Sequence, residues 1–270
     1  MTKIAASGDA RRTMALLWRS PTAVDLGRPG PKASLSVDAI VDAAIVLADE
    51  AGDGSVSLRA VAGRLGCTPM ALYTYIAHRR ELLDLMYDRV HAELPRPDSG
   101  EWPARVGAWA AEILECYLRH PWAVEVSFAR SVLGPNEQRA LELLLDGLAP
   151  AGLGPTDTAA VVSGLFGLAR SMASTIADAR RPASSGDEGA WWTARTAALN
   201  EVVPDFAERY PHTVALAGLT GAAETEPAND WAAPETDGLP WLERPTRDAF
   251  ARAVAMLLEG AAASATRRAG

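Results

Sequence analysis

The chain has 270 residues, 49% of them apolar and 22% charged, and its 26 basic and 34 acidic side chains leave a net charge of −8. This composition excludes a wholly disordered or fibrous chain, and the length predicts one or two domains with an apolar core. No apolar run approaches the roughly 18 residues of a transmembrane helix, and we expect no secretory signal in MTKIAASGDARRTM. Two cysteines are too few for a disulfide framework, so we predict a cytoplasmic protein without a membrane partner.

Charge is distributed unevenly along the chain. Residues 1–94 carry 11 basic and 11 acidic side chains, whereas residues 95–270 carry 15 and 23 and so account for the whole net charge. Between residues 57 and 80 the charged side chains are all arginines: Arg59, Arg64, Arg79 and Arg80. A basic window in an acidic protein indicates a polyanionic partner at that place, although a solvated charged face would have the same composition.

Helical signals follow one another, and no alternating segment of useful length predicts a strand. The composition of residues 1–34, rich in Gly, Pro, Ser and Arg without a helical period, predicts a flexible basic tail. This tail either touches a nucleic-acid backbone or is a plain disordered leader. Ser36 is placed to cap a first helix that Gly52 ends, and Ser57 is placed to cap a second helix that Gly66 stops.

A third and a fourth helix complete the predicted amino-terminal domain, residues 35–94. Thr68 caps the third helix with Pro69 at its first position, where the missing N–H costs nothing. The fourth helix begins near Arg79 and carries Glu81 in its first turn, where a negative charge is favourable. His91 is expected on the exposed side of this helix.

Longer helices are predicted in a second domain, residues 95–270, so that the fold class is all-α. They span about 102–119, 122–132, 135–148, 155–180, 188–203 and 246–263. Residues 220–245 contain four prolines and predict a long acidic loop.

The second and third helices have the spacing of a helix-turn-helix unit. Such a unit needs a small residue where its helices cross, a residue tolerant of positive φ in the turn, and a later apolar residue facing inward. Ala62, Gly66 and Leu72 stand at these places. Any short helix pair joined by glycine satisfies part of this pattern, and the basic window adds the second indication.

With Leu72 facing inward, helical spacing predicts an outward surface that meets DNA. Its members are Pro69, Met70, Ala71, Tyr73, Thr74 and Tyr75, with Arg59 and Arg79 at its flanks. Tyr73 offers a hydroxyl to a phosphate, Thr74 and Tyr75 reach base edges, and the two arginines bind the backbone. The alternative for both tyrosines is packing against the fourth helix.

The segment SLRAVAGRLGCTPMALYTYIAHRRELL, residues 57–83, resembles the DNA-binding domain of the TetR family of bacterial transcriptional regulators. The matching positions are Leu58, Ala62, Gly66, Leu72, Tyr73, Arg79, Arg80, Leu82 and Leu83. The resemblance implies that Arg59, residues 68–71, residues 73–75 and Arg79 contact DNA. It also implies a homodimer on a palindromic operator, since a two-fold dimer places two recognition helices about one DNA turn apart.

In this family the dimer is a four-helix bundle, and residues 155–180 and 246–263 are the candidates for its helices. Their apolar stripes are Val162, Leu165, Phe166, Ala169, Met172, Ala173 and Ile176 on the first, and Phe250, Ala253, Val254, Leu257, Leu258 and Ala261 on the second. The alternative is that these stripes pack only within one subunit.

The resemblance further implies that the second domain binds a small, largely apolar effector whose binding weakens operator binding. Candidate lining residues are Trp109, Ile113, Trp122, Phe128 and Phe166, with His120 and Arg170 as polar anchors. Ordinary core packing is the alternative for each. Drug-contacting positions of tetracycline repressors fall on Trp109, Ile113 and Ser127, of which two are apolar here, so tetracycline itself is not expected.

Two other classes of protein compete with this prediction. An all-α enzyme is not favoured, because the chain contains no HExxH, CxxC, GxSxG or glycine-rich phosphate loop. Its four histidines are scattered, and we predict no metal site and no cofactor. A DNA-binding protein without an effector is the second alternative, and it would show little sequence preference in salt titrations with specific and random duplexes.

Overall fold

The structure is a computed structural model that describes residues 9–19, 35–52, 56–96, 100–126, 130–180, 188–221 and 242–269. These ranges are helical and contain no strand, which confirms the predicted all-α class. The chain forms two compact units, Met1–Ser174 with Ala251–Gly270, and Thr175–Phe250. The predicted boundary at residue 95 falls inside the first unit and stays a prediction.

A helix that the sequence analysis did not predict lies near the amino terminus. Helix α1 (Ala10–Leu17) begins at Asp9, whose side chain accepts the N–H of Arg12 at 2.9 Å. Thr13 and Leu17, one helical turn apart, are both buried against the rest of the first unit. The prediction of a flexible tail is therefore wrong for residues 10–17, while its residues 1–8 and 20–34 lie outside the described ones.

The next four helices begin where predicted, and three of them begin at the predicted capping side chain. They are α2 (Val37–Ala51), α3 (Leu58–Arg64), α4 (Pro69–Tyr73) and α5 (Arg79–His91). Ser36, Ser57 and Thr68 each accept the backbone N–H three residues later, at 3.1, 3.1 and 3.4 Å. Gly52 ends α2 with φ 69°, and Gly66 forms the turn between α3 and α4 with φ 65°, both in the left-handed region that favours glycine.

The carboxyl-terminal helices also follow the predicted order, with three differences. They are α6 (Trp102–Arg119), α7 (Pro135–Leu148), α8 (Pro155–Arg180), α9 (Glu188–Val202), α10 (Phe206–Arg209), α11 (Pro211–Gly221) and α12 (Glu243–Ala269). The helix expected at 122–132 is a short 3-10 helix at Pro121–Glu125, α10 and α11 were not predicted, and α12 is longer at both ends. Of the predicted acidic loop, residues 222–241 lie outside the described residues.

Helix α8 is long and apolar enough to cross a membrane by length and composition alone. Only 33% of its most apolar window is buried within the chain. Core helices of soluble proteins meet the same criterion, so the feature that needs an explanation is the part of α8 that the chain leaves uncovered.

Helix α5 is buried on more sides than its sequence suggests, because α1, α2 and α7 all pack against it. His91 is only 1% exposed, and its Nδ1 lies 2.7 Å from the carbonyl oxygen of Tyr87, so its predicted exposure is wrong. Asp88 is also buried, and it accepts the N–H groups of Asn136 and Glu137 at 2.9 Å each. A buried carboxylate thus caps the first turn of α7 from α5.

Candidate DNA-binding surface and effector domain

The helix-turn-helix unit divides into a buried and an exposed side. Val61 and Leu72 are 0% exposed and Ala62 is 1% exposed, so α3 and α4 meet through the positions expected to face inward. On the opposite side Met70 is 75% and Tyr73 is 48% exposed. The outward orientation of α4 agrees with the prediction, and contact with DNA stays a prediction for each of its residues.

The remaining residues of the predicted surface are also accessible. Arg59, Thr68, Pro69, Thr74 and Arg79 are exposed, and Ala71 and Tyr75 are half-buried. Thr68 and Pro69 therefore combine a structural role at the start of α4 with an exposed position.

A groove of about 870 Å³ runs between α3 and the segment that carries α4. Its lining includes Arg59, Cys67, Tyr73, His78 and Arg79. The concave face of the unit therefore brings two arginines and a tyrosine hydroxyl together, a set of donors that suits phosphate oxygens.

The four arginines of the basic window are not equivalent. Arg64 forms an exposed ion pair with Glu50 at 3.1 Å, which reduces its contribution to a positive surface. Arg79 donates through Nε to the carbonyl oxygen of Val56 at 2.9 Å and so holds the segment before α3. Arg59 and Arg80 are both exposed, and Arg59 lines the same groove as Tyr73, where we expect the strongest attraction for a polyanion.

Two residues outside the predicted set contact the turn that follows α4. Glu81 accepts the N–H of Ala77 at 2.8 Å, and Arg12 donates to Glu81 at 3.0 Å and to the carbonyl oxygen of Tyr75 at 3.2 Å. The acidic residue at the third position of α5 was visible in the sequence, but its partner from α1 was not, because 69 residues separate the two.

The predicted effector-site residues are brought together in two separate groups. Trp109 and Phe166 form one group, with ring centroids 5.1 Å apart in an edge-to-face arrangement, and Ile113 is fully buried on the same helix as Trp109. His120 and Trp122 form the other group, with centroids 6.2 Å apart. Phe128 lies outside the described residues.

The polar atoms of Trp109 and of the predicted anchor Arg170 already have partners in the chain. The indole N–H of Trp109 donates to the carbonyl oxygen of Ala140 at 2.9 Å. Arg170 donates to the carbonyl oxygens of Val124 and Val126, the latter at 2.7 Å, and its guanidinium lies 5.9 Å from the ring centroid of Tyr117. Its role as an effector anchor stays a prediction, and a ligand would have to compete with these carbonyl groups.

The second group joins the two predicted domains. Nδ1 of His120 lies 2.9 Å from Asp49 at the end of α2, and Nε2 lies 3.0 Å from Glu93, which follows α5. The indole N–H of Trp122 donates to Asp49 at 2.8 Å. Burial lowers the pKa of His120, but the hydrogen bonds and charges of Asp49 and Glu93 outweigh burial, and the net direction of the pKa is upward.

A third buried cluster lies between α5 and α6 and was not predicted. The rings of Tyr87 and His91 are 4.6 Å apart, and those of His91 and Tyr117 are 6.3 Å apart. Burial raises the pKa of both tyrosines and lowers the pKa of His91, so that all three are neutral at pH 7. The i, i+4 spacing of Tyr87 and His91 was a signal in the sequence, but only the packing of α6 shows that this face is buried.

Among the residues that the structure describes, no group of three or more His, Cys, Asp or Glu side chains could hold a metal ion. Both cysteines are free, Cys67 half-buried and Cys116 buried. Burial raises the pKa of the Cys116 thiol to about 12, so this side chain is an unreactive part of the core.

An exposed short helix on a capped helix-turn-helix unit, followed by a helical body, defines a helix-turn-helix DNA-binding protein. Comparison with known proteins agrees with this class. Residues 94–230 match the family model for the tetracyclin repressor-like C-terminal domain. The HTH-type transcriptional repressor DrrR1 of Streptomyces coeruleorubidus is 36% identical over 225 residues, which are 80% of each chain. An HTH-type transcriptional regulator of Saccharopolyspora erythraea is 34% identical over 155 residues, 53% of this chain and 66% of its own.

Solved structures have the same fold. Apo ActR from Streptomyces coelicolor superimposes with a TM-score of 0.65 at 22% identity, covering 87% of this chain and 99% of its own. ActR in complex with actinorhodin has a TM-score of 0.60 at 25% identity, covering 85% and 99%. The chain belongs to the TetR family of transcriptional regulators, as the resemblance of residues 57–83 implied, and this family is one of regulators rather than enzymes.

Proposed function

We propose that this protein is a cytoplasmic repressor that binds a palindromic operator as a homodimer and is released by a small, largely apolar effector. The observation that carries the proposal is the exposure of Met70 and Tyr73 on a recognition helix fixed from within by Leu72. In this position α4 presents side chains to the major groove while α3 crosses the backbone.

The DNA contacts divide by chemistry. Arg59 and the hydroxyl of Tyr73 bind phosphates, which supplies affinity without sequence information. Met70, Thr74 and Tyr75 face base edges, where apolar contacts and single hydrogen bonds distinguish one base pair from another. Arg79 binds the backbone from the start of α5 while it holds the carbonyl group of Val56.

The dimer uses α8 and α12, but through a different face from the predicted stripes. Much of each stripe is turned into the subunit, since Leu165, Ala169 and Ala173 of α8 are 0% exposed and Val254 and Leu258 of α12 are 5% exposed. Other members of the stripes are half-buried: Val162, Met172, Ala253 and Leu257. The buried members support packing within one subunit, so we assign the dimer contact to the side of each helix that faces away from them.

The outward side of both helices suits close packing between two copies. On α8 the exposed positions Ala160, Ser163, Gly167 and Ser171 follow helical spacing and carry small side chains. On α12 the exposed positions Met256, Gly260 and Ala263 also follow helical spacing, with small residues at 260 and 263 and a large apolar side chain, 59% exposed, at Met256. Within one subunit the two helices already approach closely, because a Cβ atom on Gly164 would lie 3.1 Å from Leu257. Two such pairs related by a two-fold axis would form a four-helix bundle that covers the apolar surface of α8.

The effector acts through linkage between the body and the DNA-binding unit. We expect the ligand to bind best to a state in which the two recognition helices have a different spacing. Ligand then lowers the affinity for operator, and operator lowers the affinity for ligand by the same factor, with a typical coupling of about 1–3 kcal/mol. Helix α5 is the connecting element, since it packs against both α2 and α7. The ligand complex of ActR supports an effector of this kind for the present chain, with Trp109, Ile113 and Phe166 as apolar wall.

DNA selection tests the operator part of the proposal. Wild-type protein is used to enrich duplexes from a random pool, and the selected duplex is expected to contain two inverted half-sites bound by two chains. Arg59→Gln should weaken binding to every duplex and reduce the dependence of log affinity on log salt by about 1.8, which is about 0.9 for each of the two chains of the dimer. Arg64→Gln is the matched control, because this arginine is already paired with Glu50. A pool without enrichment would contradict the proposal.

Release by a ligand tests the effector part. Actinorhodin and a panel of apolar aromatic compounds are added to the complex of the protein with its selected duplex, and the fraction of bound DNA is followed by fluorescence anisotropy. Release by a compound that also raises the melting temperature of the free protein supports linkage. Failure of every compound to bind the free protein would favour the alternative of a DNA-binding protein without an effector.

A further inference from the structure

Helix α1 connects the recognition unit to the start of α7. Its first anchor is Arg12, whose guanidinium donates through Nε to Glu81 at 3.0 Å and through Nη2 to the carbonyl oxygen of Tyr75 at 3.2 Å. Thr13 and Leu17 are both 4% exposed, so one face of α1 is firmly packed against α5. The helix that carries Arg12 is therefore fixed, although the Arg12 side chain itself is half exposed.

The first anchor acts on the backbone that ends the recognition helix. Glu81 is 3% exposed, and its second oxygen accepts the N–H of Ala77 at 2.8 Å. The N–H groups of Tyr75 and Ile76 both donate to the carbonyl oxygen of Leu72 at 2.9 Å. The turn that follows α4 is thus held from inside by its own hydrogen bonds and from outside by the Arg12–Glu81 pair.

The second anchor is at the other end of α1. The indole N–H of Trp18 donates to the carbonyl oxygen of Leu133 at 2.9 Å. Leu133 has φ 59°, and its own N–H donates to Glu137 of α7 at 2.6 Å. Arg19 adds a contact with Asp38 in the first turn of α2. A segment of eleven residues, 9–19, therefore reaches the end of α4, the start of α2 and the loop before α7.

We infer that residues 9–19 form a strap that fixes the orientation of the recognition helix relative to the start of α7. Arg12 is a positioning residue, which acts through Glu81 and the carbonyl group of Tyr75 without contacting DNA itself. Trp18 is the tether that keeps the strap in place. The strap goes beyond the proposed function, because it concerns residues outside the DNA-binding surface. Of the two measurements that test it, only the measurement of DNA affinity rests on the proposed function.

A simple basic arm is the competing explanation, since Arg12 is a cation near a DNA-binding surface. The neighbouring Arg11 separates the two explanations, because it is exposed on the same helix and carries the same charge. Arg11→Gln and Arg12→Gln remove the same charge at adjacent positions. Glu81→Gln removes a negative charge and so makes the protein more positive. If the arm acted only through its charge, this variant would bind DNA more tightly than wild-type protein.

The experiment compares wild-type protein, Arg11→Gln, Arg12→Gln, Glu81→Gln and Trp18→Phe by two measurements. The first is the ratio of the affinities for the duplex selected by wild-type protein and for a random duplex. The second is hydrogen–deuterium exchange of the amides of residues 75–77 in the free protein. The exchange measurement needs no DNA, so that failure of the proposed function and failure of the strap are distinguishable.

The strap predicts that Arg12→Gln and Glu81→Gln lower the affinity ratio by roughly fivefold to tenfold, the effect of one hydrogen bond of ordinary net strength. It also predicts faster exchange at residues 75–77 in these two variants and in Trp18→Phe, with Arg11→Gln unchanged in both measurements. Identical behaviour of Arg11→Gln and Arg12→Gln would overturn the strap, and so would wild-type exchange in Trp18→Phe. Because Arg12 and Trp18 are exposed at the surface, their variants are expected to fold even if Glu81→Gln does not.

Discussion

The helix-turn-helix unit and the helical body behind it present their functional residues in opposite ways. In the unit, Met70 and Tyr73 are exposed while Leu72 between them is completely buried. In the body, Trp109 is 1% exposed, and Ile113 and Trp122 are 0% exposed. A surface that meets a polymer is defined by which side chains point outward, whereas burial alone does not distinguish the wall of a ligand site from an ordinary core. Each assignment in the unit can therefore be tested by substituting a single residue. In the body, a substitution is informative where it removes an identified hydrogen bond.

The largest expected effect is on the buried side of the unit. Leu72→Ala should lower the free energy of unfolding by about 2–5 kcal/mol, since it removes a fully buried side chain at the crossing of α3 and α4. Met70→Ala on the same helix should change it by less than about 0.5 kcal/mol, because Met70 is exposed. Urea unfolding followed by circular dichroism measures both, and equal effects would contradict the assignment of the two sides.

The second prediction compares two tryptophans of the body. Trp122→Phe removes a hydrogen bond to the Asp49 carboxylate and should cost about 1.5–3 kcal/mol, the range for bonds to charged groups. Trp109→Phe removes a bond to the neutral carbonyl group of Ala140, for which the cost is about 1 kcal/mol. Both variants also lose packing in the core, because phenylalanine is smaller than tryptophan, so the prediction concerns the difference between them. The same unfolding measurement applies, and a larger loss in Trp109→Phe would show that Asp49 does not hold the joint between the domains.

The third prediction separates affinity from sequence preference on the exposed side. Tyr73→Phe and Arg59→Ala should weaken binding to selected and random duplexes alike, because both residues are assigned to phosphates. Thr74→Ala should instead change the preferred base at one position of each half-site, with a discrimination of about 1 kcal/mol. Binding to a set of single-base variants of the selected duplex measures this. Unchanged preference in Thr74→Ala would mean that the outward face of α4 is wrongly assigned.

The smallest effect concerns pH and has opposite signs at two histidines. The pKa of His120 is raised in the folded protein, so its contribution to stability is fully present below the ordinary value of 6.5 and is lost as pH rises through the raised pKa. The pKa of His91 is lowered by burial, so its contribution is present above 6.5 and is lost as pH falls through the lowered pKa.

Unfolding free energies of His120→Gln and His91→Gln, measured from about pH 5 to pH 9, test these signs. Relative to wild-type protein, His120→Gln should be most destabilised at the acidic end of this range. The deficit of His91→Gln should become smaller at that end. Parallel curves for the two variants would contradict the description of the joint at Asp49 and Glu93.

The parts of the fold that local chemistry determines were predictable. Ser36, Ser57 and Thr68 begin their helices as predicted, because a cap needs only its own hydroxyl group and the N–H three residues later. The inward orientation of Leu72 follows from helical spacing in the same way.

The remaining errors arise from contacts between distant parts of the chain. His91 was predicted on the solvent side of α5, but its ring packs beside Tyr117 of α6 and is buried. Helix α1 was missed because its two buried residues are too few to form a recognisable period. The partners of Arg12 and Trp18 are 69 and 115 residues away, a separation at which no spacing rule applies.

The central claim is that α4 reads a specific DNA sequence, and one binding measurement tests it most directly. The affinity of wild-type protein is determined at two salt concentrations for the duplex that it selects and for a scrambled duplex of the same length. Our account predicts a preference of at least about a thousandfold, which persists at the higher salt concentration while both affinities fall. Equal affinities for the two duplexes, falling together with salt, would contradict it.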